Sequence, residues 1–412
     1  MPPPDATPDF DLETADFALD PMPGPLLHQI LKGYRERGPV QPTRFLGIPA
    51  FVITGHAALL EAFMDVKRFP PHRMYQASFE GAIGESFISM ESPARHRIFR
   101  KLATPAFRSR AVASYESEGL GALARELVAR LGDRNEFDLM ADFAAQFPYL
   151  VITRLLGLPR EREEAFHEWA LALLQFREDP DAAKQAGEEL TAVLAPVVAA
   201  RRIRPENDVI SELVAARVEG RGLTDEEVYS HVRLLFPTGG ETTHGSLGNL
   251  LYALLTHDGA WAQLRADRSL IELAVDEVLR WETPIAVLPR MSASEAIEFE
   301  GTKIPADSWV LFAMAGANRD PEIFDEPDRF KIGRNTQEAL SFGRGVKACP
   351  GMHLARRNLC VGLDVLLDHY PELELLDPAA ATPRRTVLRC PDALHVRSAG
   401  TLGKPSAGNS EK

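Results

Sequence analysis

The chain has 412 residues, 45% hydrophobic and 25% charged, a balance that excludes a disordered, collagenous or membrane-bundle protein. Its 59 acidic and 46 basic side chains leave a net charge of −13, which argues against nucleic-acid binding, since phosphate recognition needs surplus positive charge. Three cysteines, Cys349, Cys360 and Cys390, make no disulfide framework and point to a reducing cytoplasm. The opening Met1–Asp5 has neither the basic flank nor the apolar core of a signal peptide. No apolar run approaches the roughly 18 residues of a membrane span. A soluble protein is expected.

In chain order, the Pro- and Asp-rich residues 1–24 read as an extended segment. Pro25–Arg37 reads as an amphipathic helix stopped by Gly38. Arg44–Thr54 reads as a hairpin turning at Gly47, and His56–Phe63 as a short helix. Phe69–Ser92, with Pro70, Pro71, Gly81 and Gly84, reads as a long loop of the kind that is usually functional. Apolar residues then recur at three- and four-residue spacing in Glu116–Leu131, Leu139–Leu156, Arg160–Phe176 and Ala182–Arg202, which predicts helices. Thr224 with Glu227 forms a capping box that starts a long helix running to about His257. Inside it stand Pro237, Gly239 and Gly240. Proline and glycine cost a helix interior roughly 3 and 1 kcal/mol, so something must compensate. Ser269–Glu282 is a further helix. Ile297–Lys303 and Trp309–Ala313 read as strands, Gly351–His369 as helix, and Thr386–Arg397 as a final hairpin. No repeat and no linker interrupts the run. The expectation is one mainly helical domain over 25–397 with a minor β part, then a flexible tail over 398–412.

The chemistry concentrates in Phe342-Gly343-Arg344-Gly345-Val346-Lys347-Ala348-Cys349-Pro350-Gly351. A cysteine follows a glycine-punctuated loop and precedes a helix from about Pro350, a residue suited to a first helical position. A helix start favours thiolate over thiol. Gly343, Gly345 and Gly351 permit turns that bring backbone donors to the sulfur, Phe342 offers an apolar wall, and Arg344 and Lys347 add positive charge. No second Cys or His stands at zinc-like spacing. A single axial thiolate to haem iron fits best. The plainer reading, a buried free thiol, is assigned to Cys360 and Cys390.

This loop resembles the haem-ligand loop of the cytochrome P450 monooxygenases, with Lys347 where His or Arg is usual. Glu277-Val278-Leu279-Arg280 resembles the family's Glu-x-x-Arg helix. Ala317–Pro321, Phe324, Pro327-Asp328 and Phe330 resemble the segment ahead of the haem loop, and His96–Arg100 its His-x-x-x-Arg helix. Thr238–Thr243 is similar to the family's oxygen-binding signature, with Thr238 replacing a smaller residue. The resemblance implies a triangular helical fold with small sheets, a haem b cofactor and dioxygen as co-substrate. His96, Arg100 and Arg290 would hold the haem propionates, with Lys347 as a fourth contact. Glu277 and Arg280 would form a buried pair, joined by Arg329, that braces the cysteine loop.

Gly239 and Gly240 would let the macrocycle and dioxygen approach the long helix. The Thr242 hydroxyl would bond a carbonyl freed at the kink, and Glu241 would pass protons from water to it. Leu234, Pro237, Thr238, Ala286, Val287 and Leu288 would line a pocket for a small hydrophobic substrate, with Phe87 and Ile88 adding to it. Electrons would come from a separate acidic ferredoxin or flavodoxin with its reductase, docking on Arg344, Lys347, Arg356 and Arg357, with Arg108 and Arg110 nearby. A haem-based sensor and a peroxide-driven hydroxylase remain as alternatives, and the Glu241–Thr242 pair speaks against both.

Overall fold

The computed structural model describes residues 12, 15–107, 112, 119–176, 178–218 and 220–398. Arg108 and Arg110 lie outside the described residues, as does the tail beyond Ser398. Residues 15–24 depart from the expected extended segment: Ala15, Phe17 and Met22 are buried among apolar side chains that include Leu27 and Tyr34 of the first helix. That helix, α1, spans Leu26–Arg37, and β1 (Val40–Phe45) and β2 (Ile48–Ile53) follow as the expected antiparallel hairpin. α2 covers His56–Met64. The expected long loop is instead two helices, α3 (Pro71–Ser78) and α4 (Glu80–Ile83), and only then a coil. Pro71 opens α3 from within its first turn and Gly84, at φ 85°, stops α4. These are local signals with no periodicity to reveal them.

The helical layer then builds up from α5 (Pro93–Ala103), α6 (Leu120–Leu131), β3 (Glu136–Asp138), α7 (Phe147–Leu156), α8 (Phe166–Leu174), α9 (Pro180–Ile203) and α10 (Val209–Ala215). The single helix expected over 139–156 is broken by a wide turn at Met140–Ala144, after which Pro148 restarts the helix within its first turn. Proline has no N–H to bond backwards, and apolar spacing does not register that.

A two-residue hairpin, β4 (Arg217–Val218) with β5 (Arg221–Gly222), leads into α11 (Asp225–Thr256), the axis of the molecule. The Thr224–Glu227 capping box is present in both directions, with bonds of 3.2 and 2.9 Å. Most of α11 is buried, on every side. It runs through Pro237 without interruption. The glycines compensate for their helix cost by packing. A methyl on Gly239 would come within 3.0 Å of Ile152, and one on Gly240 within 2.4 Å of the Tyr149 ring, both on α7. They therefore admit a neighbouring helix on the side a side chain would take.

α12 (Ala260–Ala266) and α13 (Ile271–Trp281) precede the sheet. Strands β6 (Leu288–Met291), β7 (Ile297–Phe299), β8 (Thr302–Ile304) and β9 (Trp309–Phe312) follow, and β7 pairs with β8. The main sheet has the order β1-β2-β9-β6, with β9 parallel to β2 and antiparallel to β6. α14 (Met314–Ala317) and α15 (Met352–His369) complete the helices. The expected terminal hairpin does not form. Instead β11 (His395–Ser398) lies between β10 (Leu373–Leu375) and β3. Residues 384–390 are held as a loop by tertiary bonds: Arg389 donates to the Met22 carbonyl at 2.8 Å and the Gly24 carbonyl at 2.7 Å, and Asn249 donates to the Arg389 carbonyl at 2.9 Å.

Candidate active site

Cys349 sits in the turn before α15. Gly351 is the N-cap and Met352 the first helical residue, so Pro350 lies ahead of the helix and not in its first turn as expected. Gly343 and Gly345 have φ of 65° and 72°, which favours glycine. At Gly345 there is a second reason: a methyl would meet the Phe63 carbonyl oxygen at 2.7 Å. This close approach is to α2, not to the sulfur. The Cys349 N–H donates to the Phe342 carbonyl at 2.9 Å, and the Gly351 N–H bonds the sulfur.

Cys349 is exposed to solvent contact, yet burial pushes its thiol up, opposed by the Gly351 N–H and the Arg100 charge. Both observations hold for a sulfur that faces an internal opening, reachable by water but walled by protein. The thiolate expected from the helix start is therefore not the favoured form on its own. Coordination to a metal cation reverses that, because a coordinated thiol is deprotonated outright.

Around the loop stand three cationic side chains from separate elements, with His96 beside them. Arg100 of α5 donates to the Ala348 carbonyl. Arg290 of β6 is buried and lies over the Tyr75 ring at 5.2 Å. Lys347 turns inward and donates to the carbonyls of Phe87 and Ile88, each at 2.8 Å. Burial and then the charges of Arg100 and Arg290 lower its amine to about 7. His96 is buried, and its Nε2 has no hydrogen-bond partner. Burial, helped by Lys347 and Arg100, lowers it to about 4. Among the described residues, Arg100, Arg290 and Lys347 make no ion pair. Mutually repelling cations and an orphaned buried nitrogen beside a cysteine loop are what an anionic group such as a pair of haem propionates would satisfy, so these residues fit that cofactor.

The brace behind the loop differs from expectation in one member. Glu277 and Arg280 on α13 are fully buried and joined at 2.8 Å. The third side chain is Arg334, whose Nε reaches Glu277 at 3.2 Å. Arg329 is exposed, pairs with Glu326 at 3.4 Å, and lends only its carbonyl to Arg280. Arg280 also donates to the Asn318 carbonyl at 2.9 Å, and the Asn318 side chain holds Leu340 and Ser341, which lead into Phe342.

On α11 the Thr242 hydroxyl donates to the Thr238 carbonyl at 2.7 Å. Thr238, Thr243 and Ser246 make the same bond four residues back. Glu241 faces elsewhere. Its buried carboxylate accepts the Tyr149 hydroxyl at 2.6 Å and lies 3.3 Å from His244 Nδ1 and 3.5 Å from the half-exposed His167. Burial alone would raise it, but His244, Tyr149 and His167 hold it below its ordinary value. The structure thus does not bring Glu241 and Thr242 side chains into contact. Tyr149, His167, His244 and Arg334 are the residues that sequence reasoning missed. Only the Glu241–His244 spacing carried a signal.

Of the six expected pocket residues, Leu234, Pro237, Ala286 and Val287 are buried, the last two without accessible surface. Ala286 and Val287 pack into the apolar cluster of the N-terminal segment and sheet. Thr238 and Leu288 keep partial exposure, as does Ile88, whereas Phe87 is buried. The expected basic face is also reduced. Lys347 points inward, Arg356 pairs with Asp276 at 2.7 Å, and Arg357 lies 4.0 Å from Glu272.

The family model for cytochrome P450 matches residues 180–380. The chain is 33% identical over 362 residues to cyclomarin C epoxidase CymV of Salinispora arenicola, covering 85% of this chain and 91% of the relative. It is 32% identical over 409 residues to 6-deoxyerythronolide B hydroxylase of Saccharopolyspora erythraea, covering 95% and 99%. The chain belongs to the cytochrome P450 family. A solved structure of a P450, CxnD, described as forming a C–S bond in chuangxinmycin biosynthesis, superposes with a TM-score of 0.85 at 28% identity, covering 96% of this chain and all of that one. This P450 is accordingly a monooxygenase with a haem-thiolate cofactor, acting on small organic molecules.

Proposed function

We propose that Cys349 is the axial ligand of a haem b and that His96, Arg100 and Arg290 hold its propionates. The observation that carries this is the convergence of unpaired cations and the orphaned His96 nitrogen on the cysteine loop. Lys347, committed to two carbonyls, braces residues 87–88 and adds charge. When bound, the haem supplies dioxygen activation and oxygen transfer to a C–H bond.

The chain's own residues do the rest. The Gly351 N–H and the loop fix the sulfur. Glu241, reaching bulk water past His167, supplies protons when its carboxylate turns from Tyr149 toward Thr242, which holds them at the helix face where Thr238 is open. The substrate is a small hydrophobic molecule that meets Thr238, Leu288 and Ile88, and the buried four of the expected set support that wall from behind.

Electrons come from a separate ferredoxin or flavodoxin with its reductase. Arg344 beside the exposed Val346 and Met64 gives that partner a mixed basic and apolar landing. Free thiols at Cys349, Cys360 and Cys390 suit a cytoplasmic protein, and among the described residues no helix is long and apolar enough to cross a membrane. Phe79 packs against both the helical cluster and the sheet cluster, which supports reading residues 25–397 as one domain.

The test is the carbon monoxide spectrum of the reduced protein. Wild type should absorb far to the red of a histidine-ligated haem, because a thiolate pushes charge onto iron, and Cys349→Ser should lose that band. A wild-type spectrum like that of a globin would overturn the assignment.

A further inference from the structure

Glu241 and His244 form a Glu-x-x-His pair on one face of α11, the helical spacing by which bundle proteins present a carboxylate and an imidazole to one metal. His167 of α8 closes on the same point from the neighbouring helix. One ligand atom from each of the three residues can be chosen so that all lie within 4.8 Å of one another. His244 Nδ1 stands 3.3 Å from one carboxylate oxygen and His167 Nδ1 3.5 Å from the other. Tetrahedral zinc, with bonds of about 2.0–2.1 Å, spaces its ligands roughly 3.4 Å apart.

We propose that His167, Glu241 and His244 form a binding site for a borderline divalent cation of the zinc class.

Two further observations support a ligand here. His167 Nδ1 is buried with no hydrogen-bond partner, although the side chain is 37% exposed. The nitrogen therefore faces the carboxylate, while the rest of the ring opens a route from solvent. The Tyr149 hydroxyl, donating to Glu241 at 2.6 Å, orients the carboxylate as outer partners of metal ligands do. Two imidazoles and one carboxylate select zinc, cobalt or nickel over magnesium or calcium, which prefer oxygen. Three protein ligands leave a fourth position for water. Closing the widest pair onto a cation takes side-chain shifts of about 1 Å.

A cation held there occupies the carboxylate that, in the function proposed above, supplies protons. On that reading, bound zinc slows turnover. Binding itself does not depend on that reading.

The experiment uses haem-loaded, tag-free protein stripped with chelator and desalted, titrated with zinc chloride in a calorimeter. Wild type should show one site in the micromolar range or tighter. His167→Ala and His244→Ala should each weaken it at least about 10-fold, and the exposed control His395→Ala should not. If the buried His244 variant fails to fold, His167→Ala, on the partly exposed side, carries the test. Absence of a wild-type site tighter than millimolar, or unchanged affinity in His167→Ala, overturns the proposal. Turnover is then measured with zinc relative to each protein's own rate in chelator. If zinc binds with the expected variant dependence but leaves turnover alone, the metal site stands and the proton-supply role of Glu241 falls.

Discussion

Thr242 and Glu241 are neighbours in sequence whose side chains leave α11 in different directions, and that division separates their expected failures. The Thr242 hydroxyl is tied to the Thr238 carbonyl at 2.7 Å, beside the partly open Thr238. Thr242→Ala removes the hydroxyl and one methyl group from a partly exposed side chain. Substrate affinity should stay within about twofold of wild type, while protons reach dioxygen unguided and electrons leave as hydrogen peroxide. Product formed per reduced nicotinamide, measured alongside released peroxide, checks this. Coupling as tight as wild type would reduce Thr242 to a helix-stabilising residue. At this scale the sequence was legible where function follows local spacing, as for Glu277 with Arg280, three apart on one helix. It was not legible where a loop decides. Arg334 and not Arg329 completes the buried brace because the turn over 327–334 sends the first side chain outward and the second inward.

Among the elements, α11 shows how far pattern reading reaches. Its capping box, its length and its breakers were all visible, but the reason for the breakers was not. Gly239 and Gly240 face α7, a contact between segments some ninety residues apart that no local rule encodes. This gives a sharp expectation. Gly240→Ala places a methyl within 2.4 Å of the Tyr149 ring, which is buried and must move. Such overpacking costs about 1–3 kcal/mol. Because Tyr149 also holds Glu241, turnover should fall together with stability. Thermal unfolding of Gly240→Ala, Tyr149→Ala and the double variant checks it. The two single losses should sum to more than the double loss, since removing the ring removes the clash. The β part was the least legible. β11 pairs with the preceding strand β10 and with distant β3, not with the adjoining residues from 386 on, as the expected hairpin required.

Over the whole molecule, a buried charge cluster joins regions far apart in sequence. Glu282 accepts from Arg389 at 2.5 Å and lies 2.9 Å from His28, with Arg319 at 3.8 Å. Burial would raise the Glu282 carboxyl, but Arg389, His28 and Arg319 hold it well below its ordinary range. Burial and then Arg319 lower His28 from 6.5 to about 4. The folded molecule therefore resists a proton that the unfolded chain accepts. Stability is complete above the unfolded value near 6.5 and declines as pH falls toward about 4. The loss is on the order of 3 kcal/mol across that window. Unfolding midpoints measured from pH 7.5 to 4.5 should fall more steeply for wild type than for His28→Gln, which has no proton to take up. Parallel profiles would remove His28 as the cause.

Arg389 gathers the carbonyls of Met22 and Gly24 across 367 and 365 positions of sequence. A chain leaving the ribosome therefore carries Met22 and Gly24 without this clasp until nearly all the rest has been made. At 5–20 residues per second that interval is roughly 20–80 s. For most of it, until Trp309, Leu311, Ala313 and Ala315 are made, Phe17 and Met22 have no completed cluster to enter. The clasp over Met22 and Gly24 is thus among the last seams to close, and until then the segment it fastens depends on whatever shields it during synthesis.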